Sequence, residues 1–142
     1  MSDSVFLDTN ILVYAYSDTE FQKQLVSRKL VAENNSFVST QVLQEFSNIL
    51  HRKFKKPWAD IANATLEVSQ SNQIHINGET TLHQAYKLAE RYKFSFYDSL
   101  IVAAALESNC SRLYSEDMSH HQVIEGKLTI VNPFLNQSGI QK

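Results

Sequence analysis

Apolar residues recur along this chain in two rhythms. Short apolar or β-branched runs at 4–7, 36–39, 73–76, 112–114 and 128–131 predict strands, and longer stretches with helical spacing predict helices near 10–16, 20–34, 41–55, 58–72, 79–93 and 96–109. Strands and helices that alternate in this way predict a parallel sheet and an α/β fold. The helical rhythm is clearest between 40 and 50, where Val42, Leu43, Phe46, Ile49 and Leu50 form one stripe. From Leu100 to Leu106 the segment is apolar on every side, which predicts a helix buried over most of its surface. No segment repeats or falls to low complexity, and three glycines and two prolines leave little room for long linkers.

With 142 residues and 43% hydrophobic content, the chain is expected to form a single domain over 1–142 with a substantial core. A net charge of −2 excludes the global positive field of a typical nucleic-acid binder, so any such contact must be local. The lone Cys110 cannot form an internal disulfide, and no Cys/His set has zinc spacing. Neither a membrane span nor a signal peptide is supported, which makes a cytoplasmic protein the expectation.

Against this background, four carboxylates fall where predicted elements begin or end: Asp8, Glu45, Asp98 and Asp117. Asp8 closes the run Val5-Phe6-Leu7, and Asp117 follows the run that ends at Ser115. In an open parallel sheet both project from the carboxyl edge, where α/β folds place ligands. Each acid also has a structural explanation. Ser95-Phe96-Tyr97-Asp98 matches a capping box, Asp8 can cap the helix that follows it, and Asp117 suits a turn. Glu45 is the exception, since it occupies no capping position and has no Lys or Arg three or four residues away. Carboxylates gathered in one pocket repel unless cations hold them, and oxygen-only ligation points to Mg2+ or Mn2+. Such ions activate water and clamp phosphates, so phosphodiester hydrolysis is the expected chemistry, with Thr9, Asn10 and Ser115 available to orient the ligands.

The segments around these acids, Val5-Phe6-Leu7-Asp8-Thr9-Asn10-Ile11-Leu12-Val13-Tyr14, Val38-Ser39-Thr40-Gln41-Val42-Leu43-Gln44-Glu45-Phe46, Phe96-Tyr97-Asp98-Ser99-Leu100-Ile101-Val102-Ala103-Ala104-Ala105 and Leu113-Tyr114-Ser115-Glu116-Asp117-Met118, together resemble the PIN domain family of nucleases. The resemblance is strongest to the small VapC-like toxins of toxin–antitoxin pairs. It implies a three-layer α/β/α sandwich around a mainly parallel sheet, and a metal-dependent endoribonuclease with an RNA substrate. It also implies Mg2+ or Mn2+ on Asp8, Glu45, Asp98 and Asp117, a homodimer, and a cognate antitoxin laid across the acidic pocket. Glu116 competes with Asp117 for a place at the strand end, and the family pattern favours Asp117. Two other readings stand beside this one: a non-catalytic module binding a basic peptide, and a PIN nuclease acting in RNA processing. A phosphatase using Asp8 as nucleophile is disfavoured, because Asp8-Thr9-Asn10 lacks a second aspartate two positions on.

Two further features stay open. Residues 51–58, His-Arg-Lys-Phe-Lys-Lys-Pro-Trp, gather four of the thirteen basic residues beside two aromatics; they can steer RNA, or simply complement a helix C-terminus before Pro57 opens the next helix. His120 and His121 suit a solvated turn better than a catalytic role. Leu25, Leu30, Phe37, Tyr86, Leu88 and Tyr92 are expected in the core or on a partner-facing surface.

Overall fold

The computed structural model describes residues 3–33 and 35–135. Among the described residues, six strands and six helices follow one another as β1 (Ser4–Leu7), α1 (Thr9–Ala15), α2 (Phe21–Glu33), β2 (Asn35–Ser39), α3 (Thr40–Arg52), α4 (Trp58–Ser71), β3 (Gln73–His75), α5 (Glu79–Tyr92), α6 (Phe96–Glu107), β4 (Arg112–Tyr114), β5 (Val123–Ile124) and β6 (Leu128–Val131). All six predicted helices and all five predicted strands are present, with ends shifted by a few residues at most. The predicted end of the second helix at Asn34, and both ends of the expected 1–142 domain, lie outside the described residues.

The sheet runs β3-β2-β1-β4-β6-β5 and is parallel except for β5, which pairs antiparallel with β6. The chain steps from β1 to β2 to β3 towards one edge and then returns past β1 to β4. Right-handed crossovers in opposite directions place their helices on opposite faces, which gives three layers. Helices α1 to α4 pack with one another, and α5 with α6 forms a second pair. The α6 segment from Ser99 to Ala105 is wholly buried, as its uninterrupted apolar run requires. Val5, Phe6, Leu7, Leu113 and Ile130 of the central strands are fully shielded, which fits a sheet covered on both faces.

The unpredicted β5 is too short to show alternation. It joins β6 through Glu125 (φ +56°) and Gly126 (φ +66°), a turn whose two left-handed residues match the twist of a hairpin. Cys110 is buried and unpaired; burial pushes its thiol up to about 12, so it stays protonated and inert at neutral pH. Among the described residues, no helix is long and apolar enough to cross a membrane.

Candidate active site

The reversal of strand order between β1 and β4 opens a crevice at their carboxyl ends, where open α/β sheets hold ligands. Asp8 and Ser115 lie at the two lips of that crevice. The Asp8 amide donates to the Tyr114 carbonyl (3.0 Å), and the Ser115 amide donates to the Val131 carbonyl (3.0 Å), so both residues extend the sheet hydrogen bonding by one position. The Ser115 hydroxyl donates to Asp8 Oδ2 (2.8 Å) and the Thr9 amide to Asp8 Oδ1 (2.7 Å). Asp8 is thus the N-cap of α1 as well as the inner wall of the crevice.

Glu45 comes in from α3. It sits on the flank of that helix's apolar stripe, whose Val42 and Phe46 are buried, and this tilts its carboxylate over the sheet edge. The Thr9 hydroxyl donates to Glu45 Oε1 (2.6 Å) and the Gln41 amide to Oε2 (3.1 Å), while the same Gln41 amide donates to the Tyr97 carbonyl (3.2 Å). Gln41 therefore ties α3 to the entrance of α6 and fixes the distance between the helices carrying Glu45 and Asp98. Asp98 enters from the first turn of α6. Its amide donates to the Ser95 hydroxyl (3.1 Å), one half of the expected capping box. Asp117 completes the set from the loop after β4, where its Oδ2 accepts from the Asn10 amide (3.1 Å).

The neighbouring Glu116 turns elsewhere. Its carboxylate accepts from the Tyr14 hydroxyl (2.6 Å) and pairs with Lys23 (2.6 Å). Burial works against its charge, but these two donors hold its carboxyl below the usual range. Of the adjacent acids, Asp117 is the one electrostatically coupled to the crevice.

Unneutralised negative charge is the main property of the crevice. Burial pushes the Asp8 carboxyl up to about 6, against the Ser115 and Thr9 hydrogen bonds that lower it, with Asp98 and Glu45 adding repulsion. Asp98 is raised as well, by partial burial first and then by Asp117 and Glu45. These couplings connect all four acids, so they share one region and do not lie on separate surfaces. Ser115→Ala, which removes a donor from Asp8, is expected to move the Asp8 carboxyl above about 6 and to cost roughly 1–3 kcal/mol of stability; carboxyl-carbon NMR titration and urea unfolding check the two effects.

As they stand, no three His, Cys, Asp or Glu side chains among the described residues close around one metal position. Like charges at 4 Å repel by roughly 1–4 kcal/mol in water-like to surface-like surroundings, so closing three acids around one point needs a cation to offset them. The donor chemistry nevertheless fits a hard divalent cation. All candidate donors are oxygens, and two amide oxygens beside the carboxylates, Asn10 Oδ1 and Gln41 Oε1, are buried with no hydrogen-bond partner among the described residues. Both amides spend their N–H groups on the acids and leave acceptors behind. Thr9, Asn10 and Ser115 were legible in the sequence as polar neighbours. Gln41 was missed, because its one signal, a polar residue four positions before Glu45, is common on any helix.

By sequence, the chain matches the model of the PIN domain over residues 5–125. No curated protein matches it by sequence. Its fold is similar to Mycobacterium tuberculosis VapC20, a toxin that cleaves the sarcin–ricin loop, with a TM-score of 0.66 and 20% identity over 80% of this chain and 89% of that one. A toxin–antitoxin complex from Klebsiella pneumoniae gives 0.67 and 19% identity over 91% and 97%. VapBC2 of Rickettsia felis, bound to a fragment of promoter DNA, gives 0.60 and 19% over 80% and 88%. At these identities the likeness is one of fold.

Proposed function

Because this chain belongs to the PIN domain family, we propose that it is a divalent-metal-dependent endoribonuclease, acting in the cytoplasm as the toxin of a toxin–antitoxin pair. The observation that carries the reading is the convergence of Asp8, Glu45, Asp98 and Asp117 on the crevice at the point where the strand order reverses. The toxin role rests on the solved structures that share the fold, which are toxins and toxin–antitoxin complexes.

In this reading Asp8, Glu45, Asp98 and Asp117 hold Mg2+ or Mn2+. Bound there, such an ion supplies Lewis-acid polarisation of a phosphate and lowers the pKa of water. The protein's own contribution is orientation. Ser115 and Thr9 fix the Asp8 carboxylate, Thr9 and Gln41 fix Glu45, and Asn10 fixes Asp117. Thr9 serves two acids at once, its amide on Asp8 and its hydroxyl on Glu45, so the spacing between them is set by a single residue. The acids exclude an unaccompanied RNA phosphate by charge, which makes a cation a requirement for substrate to enter. A cognate antitoxin and a second copy of the chain are the partners that this reading assigns.

Product chemistry tests the reaction. Purified chain incubated with RNA and Mn2+ is expected to leave 5′-phosphate and 3′-hydroxyl ends, the outcome of attack by water. Products ending in 2′,3′-cyclic phosphate would show attack by the RNA's own hydroxyl and reject the mechanism. One rival is a binding module that takes up a basic peptide; it is favoured by the lack, among the described residues, of three acids grouped around one metal position. That rival predicts no RNA turnover with any divalent ion.

A further inference from the structure

Beyond the acidic crevice, the connection from α3 to α4 concentrates positive charge in a chain whose net charge is −2. Arg52, Lys53, Lys55 and Lys56 are all exposed, and among the described residues none of the four takes part in an ion pair. Beside them the Trp58 ring lies nearly parallel to the His51 ring, with centroids 3.9 Å apart and planes at 20°, and Trp58 is 61% exposed. One face of the indole is covered by the imidazole. The His51 ring is itself placed against the Lys56 carbonyl, 3.3 Å from Nδ1.

The turn that presents this surface is not the one that backbone conformation alone would select. The Lys56 amide reaches back to the Leu50 carbonyl (3.1 Å), and Lys55, two positions past the Lys53 cap of α3, has a left-handed backbone at φ +58°. Glycine adopts such a backbone most readily, and a side chain there is strained. A lysine at this point keeps a charge at a conformational cost. Complementing the helix dipole does not account for it, since His51 and Arg52 already occupy the last turn of α3 and the dipole's influence fades within that turn.

We propose that this hairpin tip is a docking surface for single-stranded RNA, with an unpaired base stacked on Trp58 and the flanking phosphates on Arg52, Lys53, Lys55 and Lys56. The proposal rests on the ribonuclease reading and adds a substrate subsite to it. Aromatic faces accept any unpaired base, and local cations hold a polyanion that the rest of an acidic surface repels. An acidic peptide would use the lysines but has no need of the exposed ring. The tip stands on the same helix as Glu45: Arg52 lies two turns beyond it on α3, about 10 Å along the axis.

The test measures binding of a labelled single-stranded RNA by fluorescence anisotropy across a salt series, with every variant built on Asp8→Asn to suppress cutting. Trp58→Ala is expected to weaken binding roughly tenfold or more, with Trp58→Phe retaining most of it. Lys55→Gln with Lys56→Gln is expected to flatten the slope of log affinity against log salt by about 1.4, the share of two phosphate contacts on a single strand. Lys55→Gly should weaken binding while raising the melting temperature, a split that general damage to the fold does not produce. Unchanged affinity and slope in these variants, alongside RNA cleavage by the unmodified chain, would overturn the subsite and leave the ribonuclease standing. Absence of RNA cleavage and of RNA binding by the unmodified chain would overturn both. Poly-glutamate displacing the RNA equally well from the parent and from Trp58→Ala would show a surface reading charge alone, and would also overturn the proposal.

Discussion

Asp8→Asn is expected to lower RNA cleavage by roughly a thousandfold, which corresponds to several kcal/mol of transition-state stabilisation at about 1.4 kcal/mol per decade. Asparagine is nearly isosteric here. Its carbonyl can still accept from the Thr9 amide, its amide can face the Ser115 hydroxyl, and it caps helices as well as aspartate does. The backbone and the crevice walls therefore stay in place while one negative ligand is lost. Asp117→Asn is expected to follow the same direction, since Asp117 faces Asn10 and is coupled to Asp98. Glu116→Gln provides the control, because Glu116 is engaged by Lys23 and Tyr14 and its removal should leave the rate within a few fold. Initial rates on one RNA at saturating Mn2+ decide the matter. Equal losses in Glu116→Gln and Asp117→Asn would show that the two acids had been assigned the wrong way round.

That assignment shows where reading residues in order stops being informative. The strands β1, β2 and β4 and the helices α3 and α6 were legible because local rules act within a few residues: an apolar run, a 3.6-residue stripe, Ser95 as a cap. Asp8, Asp98 and Asp117 were legible as candidates for the same reason, standing at the ends of those elements, and Glu45 as an acid with neither a capping position nor a nearby cation. What brings them together is long-range. Thr9 and Glu45 are 36 positions apart, and Asp8 and Ser115 are 107 apart, so no window of sequence contains the hydrogen bonds that define the crevice. Glu116 and Asp117 differ only in where one strand end points them, and Lys23, 93 positions away from Glu116, decides it. Glu45 looked unpartnered because only cations three or four residues away were considered; its partners are a hydroxyl from α1 and the Gln41 amide. Strand β5 escaped for a different reason. Two residues carry no period, and its hairpin uses Glu125 at a left-handed position where Asn or Gly would have announced the turn.

The same carboxylate proposed to hold the metal should weaken the metal-free fold at neutral pH, and this sets the second large effect. Burial raises the Asp8 carboxyl from 3.8 to about 6 in the folded chain, so between those values the folded state binds a proton that the unfolded state has lost. Stability then falls as pH rises through this window. The contribution is fully present below about pH 4 and lost above about 6, an effect of roughly 3 kcal/mol. Asp8→Asn removes the titration, so in EDTA at pH 7.5 the variant is expected to melt roughly 10 °C above the unmodified chain, with the gap closing towards pH 4. A divalent ion reverses the order, because binding at a hundred times its dissociation constant adds about 2.7 kcal/mol to the folded state that holds it. Mn2+ should therefore raise the melting temperature of the unmodified chain at pH 7.5 and leave Asp8→Asn nearly unmoved. Paired melting curves at both pH values, with EDTA and with Mn2+, measure every term. If Asp8→Asn melted below the unmodified chain in EDTA at pH 7.5, Asp8 would be stabilised as the anion by its hydrogen bonds, and the crevice would hold no excess negative charge for a cation to neutralise.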